Sequence, residues 1–139
     1  MSFRDLPADW PRRPLSDSRL AADVLDLCVS DVARRQGGVC VLVLRDDLTL
    51  AQPFCVGGPV PRLERRAAVT TLIAGCTRSQ TGSAVVFGIV HVDAAVTDDD
   101  RALHQDAIEV CRSIGVRLLG AYLVSAEEVL GLPVSREAA

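Results

Sequence analysis

The periods of apolar and polar positions change along the chain, and each change marks an element. From Ser16 onward Leu20, Val24, Leu27, Cys28 and Val32 recur at three- and four-residue steps. They predict a helix capped by Ser16 or Asp17 that runs to "RRQGG", where glycine supplies a stop. "VCVLVL", residues 39–44, is β-branched and apolar on both faces, the mark of a strand inside a sheet. "RDD" turns the chain into "LTLAQPFCV", and so short a link permits only an antiparallel hairpin. Pro53 in that second strand lacks an amide hydrogen, so one side is unpaired or the strand is bulged.

Beyond the "GGPVP" break a second helix is predicted from about Arg62 to Ala74, with Val69, Leu72, Ile73 and Cys76 toward the core. "AVVFGIV", residues 84–90, reads as a third strand. A third helix follows over about Asp98 to Ser113, where Leu103, Ala107, Val110, Cys111 and Ile114 form one stripe ended by Gly115. "VRLLGAYLV" is a fourth strand, and "SAEEVLGL" reads as a short C-terminal helix capped by Ser125. Residues 1–15 hold three prolines and no helical period, which predicts an extended arm, with Trp10 packed on its own domain. The expected organisation is an arm over 1–15, a single α/β domain over 16–133 and a tail over 134–139. The order α-β-β-α-β-α-β predicts a mixed-sheet α/β domain flanked by helices, in two or three layers.

Composition narrows the function. The chain has 139 residues, enough for one self-sufficient core, and only 4% aromatics, so that core is aliphatic. A net charge of -3 offers no basic face for nucleic acid. All 15 basic residues are arginine, in keeping with the composition of a GC-rich genome. Five cysteines, an odd number without a CxxC pair, read as buried reduced thiols of a cytoplasmic protein. No signal peptide or apolar run of spanning length is seen, so no membrane association is expected.

The densest chemistry lies in "HVDAAVTDDDRALHQ". His91 ends a strand, where open α/β sheets gather functional groups, and Asp93 lies two residues on. Asp100 and His104 form an i, i+4 pair on one side of a helix. Three such groups with an open fourth position suit a catalytic zinc. The same letters also spell a capping box: Thr97 accepts from the first-turn amides and Asp100 reaches back. The aspartates then complement the helix dipole at about 0.3 to 1 kcal/mol each, and His104 becomes a surface residue. A third site is a small-anion pocket of Arg62, Arg65 and Arg66 beside "GGPVP", whose plainer reading is a solvated basic face.

From the first hairpin to the last strand, about residues 38–125, the chain resembles the RadC-like branch of the JAB/MPN (JAMM) metalloprotease-like family. The segments that carry the resemblance are "VLVLRDDLTLAQPFCVGG", "VPRLERR", "VVFGIVHVDAA" and "VTDDDRALHQDAIEVCRSIGVRLLGAYLVS". It implies a cytidine-deaminase-like three-layer fold. It also implies that His91 matches the first metal histidine, Asp93 takes the place of the second, and Asp100 matches the ligand aspartate. Glu64 matches the acid that serves as general base toward metal-bound water.

The chain departs from the pattern at the second histidine, at the proline, serine and glycine that follow it, and at Gly120-Ala121 in place of Asp-His. One histidine and two aspartates make a harder ligand set than His-His-Asp, and the missing serine removes an oxyanion partner. The resemblance therefore implies a non-catalytic interaction or scaffold domain without a cofactor, self-associating as a homodimer or bound to a protein partner. Its alternative is a hydrolase of peptide or isopeptide bonds using a divalent ion, zinc or similar, at His91, Asp93 and Asp100.

Overall fold

Asp17 opens the first helix, α1 (Ser18–Cys28), its carboxylate accepting from the backbone N–H groups of Arg19 and Leu20. The single helix expected up to "RRQGG" is in fact two. Val29 is extended, and the Ser30 hydroxyl caps a new helix, α2 (Asp31–Gln36), by accepting from the Ala33 amide. Arg34 fastens the break. Its buried guanidinium donates to the carbonyls of Val29, Asp26 and Ser125 and to the partly buried Asp26 Oδ1 at 2.7 Å. Apolar periodicity continues across this joint, so spacing alone did not reveal it.

The computed structural model describes residues 6–58, 64–77 and 84–132. Strand β1 (Gly38–Leu44) pairs antiparallel with β2 (Leu50–Gly57), as the short connection requires. Helix α3 (Arg65–Thr77), strand β3 (Ala84–Val90), helix α4 (Asp98–Ile114) and strand β4 (Arg117–Val124) follow. The C-terminal helix expected at "SAEEVLGL" is a correction: the chain makes a tight turn into strand β5 (Val129–Gly131). Ser125 supplies the bonds of a cap, its hydroxyl accepting from the Glu128 amide, but spends them on a hairpin turn. The tail over 134–139 and Arg62 lie outside the described residues.

The five strands form one mixed sheet in the order β2-β1-β3-β4-β5. Strand β1 runs antiparallel to both neighbours, and β3 runs parallel to β4, joined through α4. Pro53 is accounted for, since among the described residues β2 is an edge strand and no second neighbour asks for its missing amide hydrogen.

Alternation along the strands divides the core. Val39, Val41 and Val43 of β1, with Val85, Phe87 and Ile89 of β3, pack under α3 and α4. Cys40, Leu42 and Leu44, with Val86 and Val90, pack under α1. The result is a three-layer α/β/α sandwich. Gly88 faces α1, where a Cβ would sit 3.2 Å from Leu25 Cδ2, so the helix approaches the sheet closely there. The arm is not wholly extended: Trp10–Arg12 is a 3-10 turn. Trp10 and buried Leu15 pack on the α1 layer, and the Leu15 amide donates to the Leu48 carbonyl. Among the described residues no helix is long and apolar enough to cross a membrane.

Candidate functional site

Strand β3 ends at Val90 and delivers His91 to the carboxyl edge of the sheet, its backbone N–H donating to the Val124 carbonyl of β4. Seven residues later α4 begins with a complete capping box. Asp100 N–H donates to Thr97 Oγ1 at 3.1 Å, and Thr97 N–H donates to Asp100 Oδ2 at 2.9 Å. The same Oδ2 meets His91 Nε2 at 2.7 Å, with the Asp100 side chain 6% exposed and that of His91 27%. One carboxylate oxygen therefore starts the helix and holds the imidazole.

An ionised carboxylate only accepts, so in this contact the Nε2–H donates to Asp100. Two ligands of a tetrahedral zinc at about 2.0–2.1 Å stand roughly 3.3 Å apart. The observed 2.7 Å is the shorter distance of a charge-assisted hydrogen bond.

A cavity of about 300 Å³ opens beside the pair, walled by Gly37, Arg65, His91, Thr97, Asp100 and Leu103 among others. Asp93 stands exposed in the loop beyond β3, and Glu64 stands exposed just before α3. Neither belongs to this wall. Among the described residues no three His, Cys, Asp or Glu side chains gather as a metal-holding group. Of the expected ligands the structure unites His91 with Asp100 and leaves Asp93 apart.

His104 is a correction. Expected on a polar surface, it is only 9% exposed, and it lines a separate groove of about 260 Å³ with Ile108, Cys111, Arg112, Arg117 and Ala121. Burial lowers its pKa below the ordinary imidazole value. The i, i+4 spacing did put Asp100 and His104 on one side of α4, but that side faces inward.

Of the expected anion pocket, Arg65 and Arg66 are engaged elsewhere. Arg65 Nε donates to Asp106 at 3.1 Å, and Arg66 pairs with Glu109 at 2.6 Å, both bridging α3 to α4. Arg65 also approaches Asp99 at 3.8 Å. Their charge joins two helices of one layer.

One group escaped the sequence reading. Cys40 and Cys55 are direct partners in the β1–β2 ladder, and their sulfurs are 2.9 Å apart. Cys55 is exposed rather than buried, which corrects the expectation for that thiol. The signal was present in the hairpin, because the turn fixes the register and the register sets these two side by side.

The chain matches no protein-family model and no curated protein.

Proposed function

We propose that this chain is a non-catalytic α/β interaction domain of the JAB/MPN type that associates with a second copy of itself. The observation that carries the reading is the shared oxygen of Asp100. In a metal-dependent hydrolase that carboxylate and the His91 imidazole would turn toward an ion. Here Oδ2 is bonded to the Thr97 amide and to His91 Nε2, and so ties the end of β3 to the start of α4. The elements that carried the resemblance occur in its order: an antiparallel hairpin, a helix, a strand leading into His91, a helix with Asp100 in its first turn and a further strand. Self-association is supported by the edge strand β2, whose outer side is unpaired among the described residues and whose Val56 is 50% exposed.

The test is metal content together with oligomeric state, on protein purified without chelators or a histidine tag. The reading expects no stoichiometric metal after zinc is added, and a dimer by sedimentation. Stoichiometric zinc, manganese or iron that is lost in His91→Ala would overturn it in favour of the hydrolase using His91, Asp93, Asp100 and Glu64. A strict monomer at high concentration would remove the self-association.

A further inference from the structure

The hairpin that forms the sheet edge also creates a pair of thiols. In an antiparallel ladder, directly opposed residues have Cα atoms about 4.5 or 5.5 Å apart, depending on the kind of pair. Both values fall within the roughly 4.4–6.8 Å that a disulfide spans. Cys40 and Cys55 are opposed in this way, with sulfurs at 2.9 Å, so the backbone need not move for a bond to form between them. Their surroundings differ sharply. Cys40 is fully buried in the α1 layer, whereas Cys55 is exposed on the edge strand. A third thiol, Cys28, is half-buried at the end of α1, and its carbonyl oxygen lies 4.0 Å from the Cys55 sulfur.

We propose that Cys40 and Cys55 are a redox modification site, forming a reversible disulfide under hydrogen peroxide, with Cys55 the thiol that peroxide reaches first. In the first step the Cys55 thiolate attacks one peroxide oxygen. An S–O bond forms, the O–O bond breaks, and hydroxide leaves, so Cys55 becomes a sulfenic acid. In the second step the Cys40 sulfur displaces that hydroxyl. The S–S bond forms, the S–O bond breaks, and the Cys40 proton departs with the hydroxyl as water. Two electrons pass from the two sulfurs to one peroxide, and the sulfenic acid finds its resolving thiol already in contact.

Electrostatics assign the same roles. The hydrogen bond shared with Cys40 draws Cys55 down to about 7, against the opposing effect of burial. The same bond and then burial push Cys40 far up. Cys28 is raised to about 11, chiefly by burial, which leaves it a poor competitor. The remaining thiols, Cys76 and Cys111, lie buried in the opposite layer, and burial raises both.

The test treats the reduced full-length protein with stoichiometric hydrogen peroxide, alkylates the remaining thiols in denaturant, and maps peptides by mass. The expected product is one intramolecular Cys40–Cys55 bond per chain, with Cys28, Cys76 and Cys111 alkylated and full reversal by dithiothreitol. Cys40→Ala is expected to stop at a Cys55 sulfenic acid that dimedone traps. Should that buried variant fold poorly, Cys55→Ser at the exposed position is expected to lose disulfide formation by at least tenfold. A Cys28–Cys55 bond, a Cys55–Cys55 bond between chains, or sulfinic acid at Cys55 without a disulfide would each overturn the proposal.

Discussion

His91 Nε2 and Asp100 Oδ2 lie 2.7 Å apart across the gap between the third strand and the fourth helix, and Oδ2 also accepts the Thr97 amide. The contact makes a ranking of variants. Thr97→Ala removes one cap acceptor and is expected to cost about 1 kcal/mol. Asp100→Ala strands both the Thr97 amide and the imidazole and is expected to cost about 2 to 3 kcal/mol. Urea midpoints measure both, and an Asp100→Ala no worse than Thr97→Ala would contradict the shared-oxygen account.

Arg34 carries a larger share of stability. Its side chain is 7% exposed and serves Asp26 and three backbone carbonyls. Arg34→Ala leaves the Asp26 carboxylate without this partner in a partly buried place and is expected to cost about 3 to 5 kcal/mol. Chemical denaturation monitored at Trp10 reports the loss, and a change below about 1 kcal/mol would mean that water replaces the guanidinium.

Two glycines give opposite outcomes for one substitution. Gly38 has φ +144, and a Cβ there would stand 2.1 Å from the Val56 carbonyl oxygen of the neighbouring strand. Gly38→Ala is expected to cost at least about 2 kcal/mol or prevent folding. Gly75, inside α3, has nothing within 4 Å of such a Cβ. Gly75→Ala is expected to stabilise by about 0.5 to 1 kcal/mol, and thermal melts distinguish the signs.

Acid sensitivity follows from His104. Burial lowers its folded pKa from 6.5, so below that value the unfolded chain binds the proton more readily than the folded one. The stability this neutral imidazole contributes is present above pH 6.5 and is lost as the pH falls through the folded value. Arg112 and Arg117, which line the same groove, offer no negative charge to offset protonation. Melting curves from pH 7.5 to 5 are expected to fall more steeply for the native chain than for His104→Gln. Equal slopes would place the titration elsewhere.

What could be read from the sequence depended on how local the determining forces are. Strands β1 and β3 announce themselves because both faces are apolar, and α4 because one stripe and a capping box agree. The hairpin and its edge followed from chain length and Pro53. The joint between α1 and α2 was hidden, since the residue that fastens it, Arg34, reaches Ser125 91 positions away. The final strand was misread because Ser125 can serve a helix start or a turn with the same hydroxyl, and pairing with β4 decides between them. At the site, spacing brought His91 to Asp100. It placed Asp93 on the strand face, but β3 ends before it, and it could not tell that the side of α4 bearing His104 is buried.

The bond from the Tyr122 hydroxyl to the Ser18 carbonyl joins positions 104 apart. Helix α1 is translated before the strands it rests on, β1, β3 and β4, and β4 ends at Val124. Its apolar face therefore stays incompletely covered until β4 has been translated. A nascent chain halted before β3 would leave Leu20, Val24 and Leu25 with only β1 to cover them, an exposed apolar face of the kind that chaperones bind.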